Sequence, residues 1–231
     1  MSVSGQTRAG QKLAGVLREL KIDFRDKVVL DIGSSTGGFT ALALEGGAAK
    51  VIAIEKGTGQ MRVELAYDSR VELHEKTDIF EVCTSQFCPP NRTFFSGNRR
   101  IIHRISQENS TISQGKADCP KLTSCKPRII STPDIILADV SFVSLRKVLR
   151  YARECLAGEG TEFLVLLKPQ FEVGDAELHR GVLKNNRVRR EVNKKFEQWL
   201  RANGFVVLGK RDSGVAGRFG NVERFYHLCL R

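Results

Sequence analysis

The sequence predicts an α/β protein built on a mostly parallel sheet. Three features point that way: short apolar runs of strand length recur along the chain, helical segments separate them, and the first run enters its helix through a glycine-rich turn. Alternation of strand and helix is the pattern of βαβ units, whose crossovers are right-handed and whose strands lie parallel.

The elements follow in order. Lys27–Ile32 reads as a short buried strand, and a glycine turn leads into the helical run Phe39–Glu45, which Gly46 and Gly47 end. Val51–Ile54 makes a second buried strand and Val71–His74 a third, so this part reads βαβαβ. From about Val82 to Pro133, Ser, Thr, Asn, Pro and Cys dominate and neither a period of two nor one of 3.6 is sustained. A connection of that length is read as an irregular insertion. The alternation then resumes with a strand at Asp134–Ala138, a helix at Ser144–Leu156 and a strand at Thr161–Leu167. A loop from Pro169 to Gly181 precedes the amphipathic helix Asn186–Asn203, which Gly204 stops, and Phe205–Leu208 and Arg224–Leu230 close the chain as strands. One domain over residues 1–231 is expected, interrupted by the insertion at about 82–133.

Composition supports a globular core, with 41% hydrophobic residues and 21 Gly in 231. A core of this size buries roughly 70% of the surface of the unfolded chain, so no disulfide staple is required. The apolar run Phe163–Leu167 falls far short of the roughly 18 residues that span a bilayer. The first residues, Met1-Ser-Val-Ser, lack an apolar signal core, so the reading is a soluble cytoplasmic protein with no membrane partner. Lys and Arg number 37 against 26 Asp and Glu, a net charge of +11, which points to a polyanion, nucleic acid before an anionic membrane. Residues 82–132 hold eight basic and two acidic residues and so carry more than half of that excess. Four of the six cysteines, Cys83, Cys88, Cys119 and Cys125, lie in the same stretch. Their spacing, with no His at a matching offset, favours free thiols over a zinc site, and no metal is expected.

The segment from Leu30 to Thr40 is the most informative. Glycine at a strand-to-helix turn lets backbone approach a ligand, and the helix start offers unpaired N–H groups. A nucleoside-triphosphate loop would need a Lys that is missing here, and a nicotinamide fingerprint would need glycine where Ser35 stands. What remains is Asp-x-Gly-x-x-x-Gly-Gly, with Asp31 placed just before the turn. An acid there suits a cofactor that carries an amino-acid cation, as S-adenosylmethionine does. Asp31, Gly33, Ser34, Ser35, Gly37, Gly38 and Phe39 are therefore candidate cofactor residues. Glu55 closes the second strand, placed to accept from the ribose hydroxyls, and Asp78 follows the third, placed for the adenine amino group. Asp139 and Lys168 end the fourth and fifth strands, where ligands bind in open α/β sheets.

Taken together, the chain resembles the haemolysin A (TlyA-like) branch of the FtsJ-type RNA 2′-O-methyltransferases. The matching blocks are Thr7–Leu13, Leu30–Thr40, Asp139-Val-Ser-Phe-Val-Ser-Leu145, Lys168-Pro-Gln-Phe-Glu172, Gly181-Val182 and Gly220-Asn-Val-Glu223. The resemblance implies a Rossmann-like class I methyltransferase fold, a mostly parallel seven-stranded sheet with an antiparallel last strand. It further implies S-adenosylmethionine as methyl donor, a cytidine ribose in ribosomal RNA as acceptor, and rRNA or ribosomal subunits as partners. The family's Lys-Asp-Lys-Glu tetrad falls on Lys12, Asp139, Lys168 and Glu223, with Asp139 also beside the cofactor. The family's small N-terminal RNA-binding module is not expected here. Ser213-Gly214-Val215 stands where the family has Ser-Pro-Ile, and Asn185 where it has Asp. A non-catalytic RNA-binding or ribosome-assembly factor retaining this fold is the alternative reading.

Overall fold

The computed structural model describes residues 7–86, 128–173, 182–217 and 219–231. Its strands are β1 (Val28–Ile32), β2 (Lys50–Ile54), β3 (Val71–His74), β4 (Val82–Thr84), β5 (Arg128–Ile130), β6 (Ile135–Ala138), β7 (Glu162–Leu167), β8 (Phe205–Asp212) and β9 (Arg224–Leu230). Its helices are α1 (Arg8–Leu20), α2 (Gly38–Glu45), α3 (Val63–Ala66), α4 (Leu145–Cys155) and α5 (Asn186–Ala202). Seven strands form one sheet in the order β3-β2-β1-β6-β7-β9-β8. In this sheet β9, between β7 and β8, runs opposite to the other six strands, as expected for the last strand.

Strand residues alternate between two cores. Leu30, Ile32, Ile136, Phe163, Val165 and Tyr226 face the layer of α4 and α5, while Val29, Val51, Leu137, Leu164, Leu166 and Phe225 face α1, α2 and α3. Both faces of the sheet are thus covered, which is why the strands read as nearly continuous apolar runs. Asp31 falls on the α2 face and is fully buried there.

Four differences from the sequence reading have physical causes. The helix α1 was not foreseen: Thr7 caps it by accepting from the Gly10 N–H at 3.0 Å, and Leu13, Val16 and Leu20 form its buried stripe, into which the buried Lys12 intrudes. The helix between β2 and β3 that the βαβαβ pattern implies is α3, which the sequence does not locate, four residues being too few to show a period. The ends of the expected irregular insertion are ordered, because β4 and β5 pair in parallel and Tyr151 donates to the Val82 carbonyl at 2.7 Å. The remainder of that stretch, residues 87–127, with Cys88, Cys119 and Cys125, lies outside the described residues. Finally, β8 continues past Leu208 to Asp212, since an irregularity in register between Val207 and Gly209 interrupts the alternation that marked its end.

Candidate active site

The site grows from the carboxyl ends of the central strands. After β1, Gly33 takes a positive φ of 80°, a conformation that suits glycine. A Cβ at that position would lie 3.0 Å from the Asp139 carbonyl oxygen, so the turn and the end of β6 nearly touch. Asp31, Gly33, Ser34, Ser35, Thr36 and Phe39 line a cavity of about 150 Å³ whose opposite wall is Asp139, Ser141 and Lys168, with Ala9 of α1 at its edge. The N–H groups of Gly33 and Ser34 are tied to the Ile54 carbonyl at 2.9 and 3.2 Å, which fixes the turn against β2.

Asp31 is the unusual group in this wall. Its Oδ2 accepts from the Thr40 hydroxyl at 2.7 Å, while its Oδ1 has no hydrogen-bond partner among the described residues. Burial pushes its carboxyl up to about 7; the Thr40 hydrogen bond opposes the rise and the charge of Asp139 adds to it.

The remaining expected cofactor residues divide. Glu55 accepts from the Ser35 N–H at 2.9 Å and the Gly57 N–H at 2.7 Å, so it fastens the end of β2 to the glycine turn. Asp78 caps the three-residue 3-10 turn Ile79–Glu81 and receives Lys56 Nζ at 3.1 Å. Gly37 flanks α2 at its start, and Gly38 is its first residue. The constraint on Gly38 comes from packing: a Cβ would meet the Thr7 hydroxyl oxygen at 2.4 Å and the Gly10 nitrogen at 2.8 Å. Glycine there lets α1 cross close over α2.

The four residues of the expected tetrad form two ion pairs. Lys168 Nζ lies 2.6 Å from Asp139 Oδ1 and donates to the Ser141 hydroxyl at 2.9 Å. Lys12 Nζ donates to Glu223 Oε2 at 2.6 Å, and both side chains are buried. Gln170, two residues after Lys168, donates to Glu223 Oε1 at 3.2 Å and so connects the pairs. Lys168 and Asp139 line the cavity; Lys12 and Glu223 are not among its lining residues. Arg8 donates to the carbonyls of Ala216 and Gly217 at 2.7 and 2.8 Å, giving α1 a second hold on the loop before β9.

A family model described as FtsJ-like methyltransferase matches residues 6–230. The chain belongs to that family. YqxC of Bacillus subtilis, described as an rRNA methyltransferase, is 30% identical over 96% of this chain and 64% of its own length. The 23S rRNA (cytidine-2′-O)-methyltransferase TlyA of Campylobacter jejuni is 30% identical over 96% of this chain and 69% of its own length. The chain therefore spans about two thirds of these relatives. A Lactococcus lactis protein of known structure, described as a hemolysin, superposes with a TM-score of 0.73 at 29% identity, over 96% of this chain and 86% of that one.

Several residues of this FtsJ-like site escaped the sequence reading. Ser141 accepts from Lys168 and Gln170 donates to Glu223, contacts that residue type and spacing do not signal. Glu172 accepts from the Ser144 hydroxyl at 2.9 Å and the Leu145 N–H at 2.7 Å, at the start of α4. Burial raises its pKa, and those two bonds and Arg146 act against the rise. Phe142 is 93% exposed at a φ of 63° and packs at 5.3 Å on Phe171 beside the Lys168 loop. Asn185 caps α5, accepting from the Arg187 N–H at 2.9 Å. Among the described residues no helix is long and apolar enough to cross a membrane, and no cluster of metal-ligating side chains occurs.

Proposed function

We propose that this chain transfers the methyl group of S-adenosylmethionine to a ribose 2′-hydroxyl of cytidine in ribosomal RNA, in the cytoplasm. The observation that carries the reading is Lys168, held at 2.6 Å by Asp139 on a cavity whose other wall is the Gly33–Thr36 turn. S-adenosylmethionine supplies an electrophilic sulfonium methyl, which the attacking oxygen takes as the S–C bond breaks. Asp31 fits such a cofactor, because its unpartnered, buried Oδ1 matches an ammonium. Lys168 Nζ, on the cavity wall, would act beside the ribose hydroxyl, taking its proton as a neutral amine or, as the ammonium paired with Asp139, stabilising the developing alkoxide. Asp139 and Ser141 hold the ammonium head in place, and such alignment contributes several kcal/mol, of order 7 in favourable cases. Phe142 offers an exposed ring at the rim, the kind of face on which unstacked RNA bases rest.

The test is incubation with labelled S-adenosylmethionine and rRNA from cells lacking the protein, followed by mapping of ribose methylation. Incorporation at one cytidine is expected. No incorporation into either naked rRNA or intact subunits overturns the reading, and tight rRNA binding with no incorporation replaces it with the assembly-factor alternative.

A further inference from the structure

The end of the sheet that carries Lys168 also carries a second, charged cavity that methyl transfer leaves unused. Its volume is about 300 Å³, and it is lined by Lys210, Arg211 and Asp212 at the end of β8 and by Arg224 at the start of β9. Register fixes its place, because Arg224 pairs with Leu167, the residue before Lys168, and Asp212 pairs with Arg224. Neighbouring strands lie about 4.8 Å apart, so the cavity opens one to two strand spacings from Lys168.

Its charges are unevenly matched. Asp212 Oδ1 accepts from Arg224 Nε at 2.5 Å, and its Oδ2 lies 3.8 Å from Arg189 Nη1 of α5. Two guanidinium groups share that carboxylate, and Arg189 Nε has no hydrogen-bond partner among the described residues. Lys210 and Arg211 are each paired, with Glu197 and Glu19, so the excess positive charge sits on the Arg189–Asp212–Arg224 cluster. Arg187 and Arg189 occupy the first turn of α5, a turn that holds no acid of its own and where the helix dipole disfavours cations. Sequence placed against local stability in this way needs another reason.

We propose that this cavity binds a backbone phosphate of the RNA strand whose neighbouring ribose is presented to Lys168. The inference rests on the RNA methyltransferase reading above. Guanidinium groups bind phosphate through paired N–H donors; Arg224 lines the cavity, and Arg189 of α5 is linked to it through the shared Asp212. A phosphate there competes with Asp212 for both arginines. Contacts of this kind position the strand without reading its bases, so they act on affinity and salt dependence.

The experiment measures binding of the full chain to deproteinised rRNA over a series of salt concentrations. Arg189→Ala and Arg224→Ala should each weaken binding about three- to tenfold and lower the slope of log affinity against log salt by about one. Cofactor affinity should not change. Asp212→Asn should do the opposite, tightening binding several-fold, because the competing carboxylate is removed. A purely structural cluster would weaken binding in all three variants, and that outcome overturns the inference. Unchanged affinity and slope in both arginine variants overturn it as well, while leaving methyl transfer standing. Failure of the unsubstituted chain to bind rRNA removes the underlying reading and this one together.

Discussion

Lys12–Glu223 and Lys168–Asp139 are equal by distance, 2.6 Å in each, and unequal by surroundings. The first joins α1 to the residue before β9 across almost the whole chain, with side chains 7% and 3% exposed. The second stands on the cavity with side chains 11% and 14% exposed. Two pairs of the same chemistry therefore differ in burial and in which of them lines the cavity; on the proposed reading the Lys168 pair meets substrate and the Lys12 pair fastens α1 to β9. Gln170 keeps the two in register, so the fastener also limits where Lys168 can move.

Replacing one lysine at a time breaks this comparison most directly. Lys168→Ala should lower turnover about 10²- to 10⁴-fold, the range for a lost proton-transfer or charge-stabilising group, with little change in melting temperature. Lys12→Met should instead cost about 3–5 kcal/mol of stability, because Glu223 is left buried without its cation. At about 2–4 °C per kcal/mol for a chain of this size, the melting temperature should fall by about 6–20 °C. The double variant Lys12→Met with Glu223→Leu should recover much of that loss. Full stability in Lys12→Met together with lost turnover would place Lys12 in the chemistry and end the distinction.

The carboxylates sharpen the same contrast at a smaller scale. Asp139 has a lysine, whereas Asp31 faces the cavity with only Thr40 as partner. Burial raises Asp31 from 3.8 to about 7, so between about pH 4 and pH 7 the native chain holds a proton that the unfolded chain has released. Stability of the cofactor-free protein should then fall as pH rises through that window and level off above it. Asp31→Asn should abolish this part of the slope in thermal melts. Cofactor affinity should move the other way, weakening by up to about tenfold per pH unit below 7, because an ammonium selects the ionised form. Calorimetric titration of S-adenosylmethionine at pH 6 and pH 8 checks it, and equal affinities would detach Asp31 from the cofactor.

What could be read beforehand follows the same division. Lys168 and Asp139 end buried strands, and strand ends face the ligand crevice by geometry alone, so one sequence sufficed for them. Lys12 and Glu223 came only from the family resemblance. Their partnership spans 211 positions, and a Lys inside an apolar helical stripe hides the helix that carries it. Gly38 was legible as a glycine that must stay small, but the neighbour demanding it is α1. The strands β4 and β5 are three residues each, too short for a period to show. Glu172 in a loop looks like a solvated acid until the start of α4 is seen to lie against it.

Glu172 gives the smallest expected effect and the finest test of how the reactive pair is held. Helix α4 begins with no acid in its first turn, and the hydroxyl of its flanking Ser144 makes no capping bond within the helix. Glu172 supplies the cap from the loop after β7, binding Ser144 and the Leu145 N–H and thereby tying the Lys168 loop to the loop of Asp139 and Ser141. Loss of a helix cap costs about 0.5–2 kcal/mol, so Glu172→Ala should lower stability by about that amount. It should also reduce kcat more than it changes KM, by far less than Lys168→Ala does, because the two loops lose their mutual register. Glu172→Gln keeps an oxygen acceptor and should restore most of both losses. Equal defects in the Ala and Gln variants would mean that charge at the start of α4 matters and the hydrogen bonds do not. An unchanged kcat in Glu172→Ala would mean that Asp139 and Ser141 position Lys168 without it.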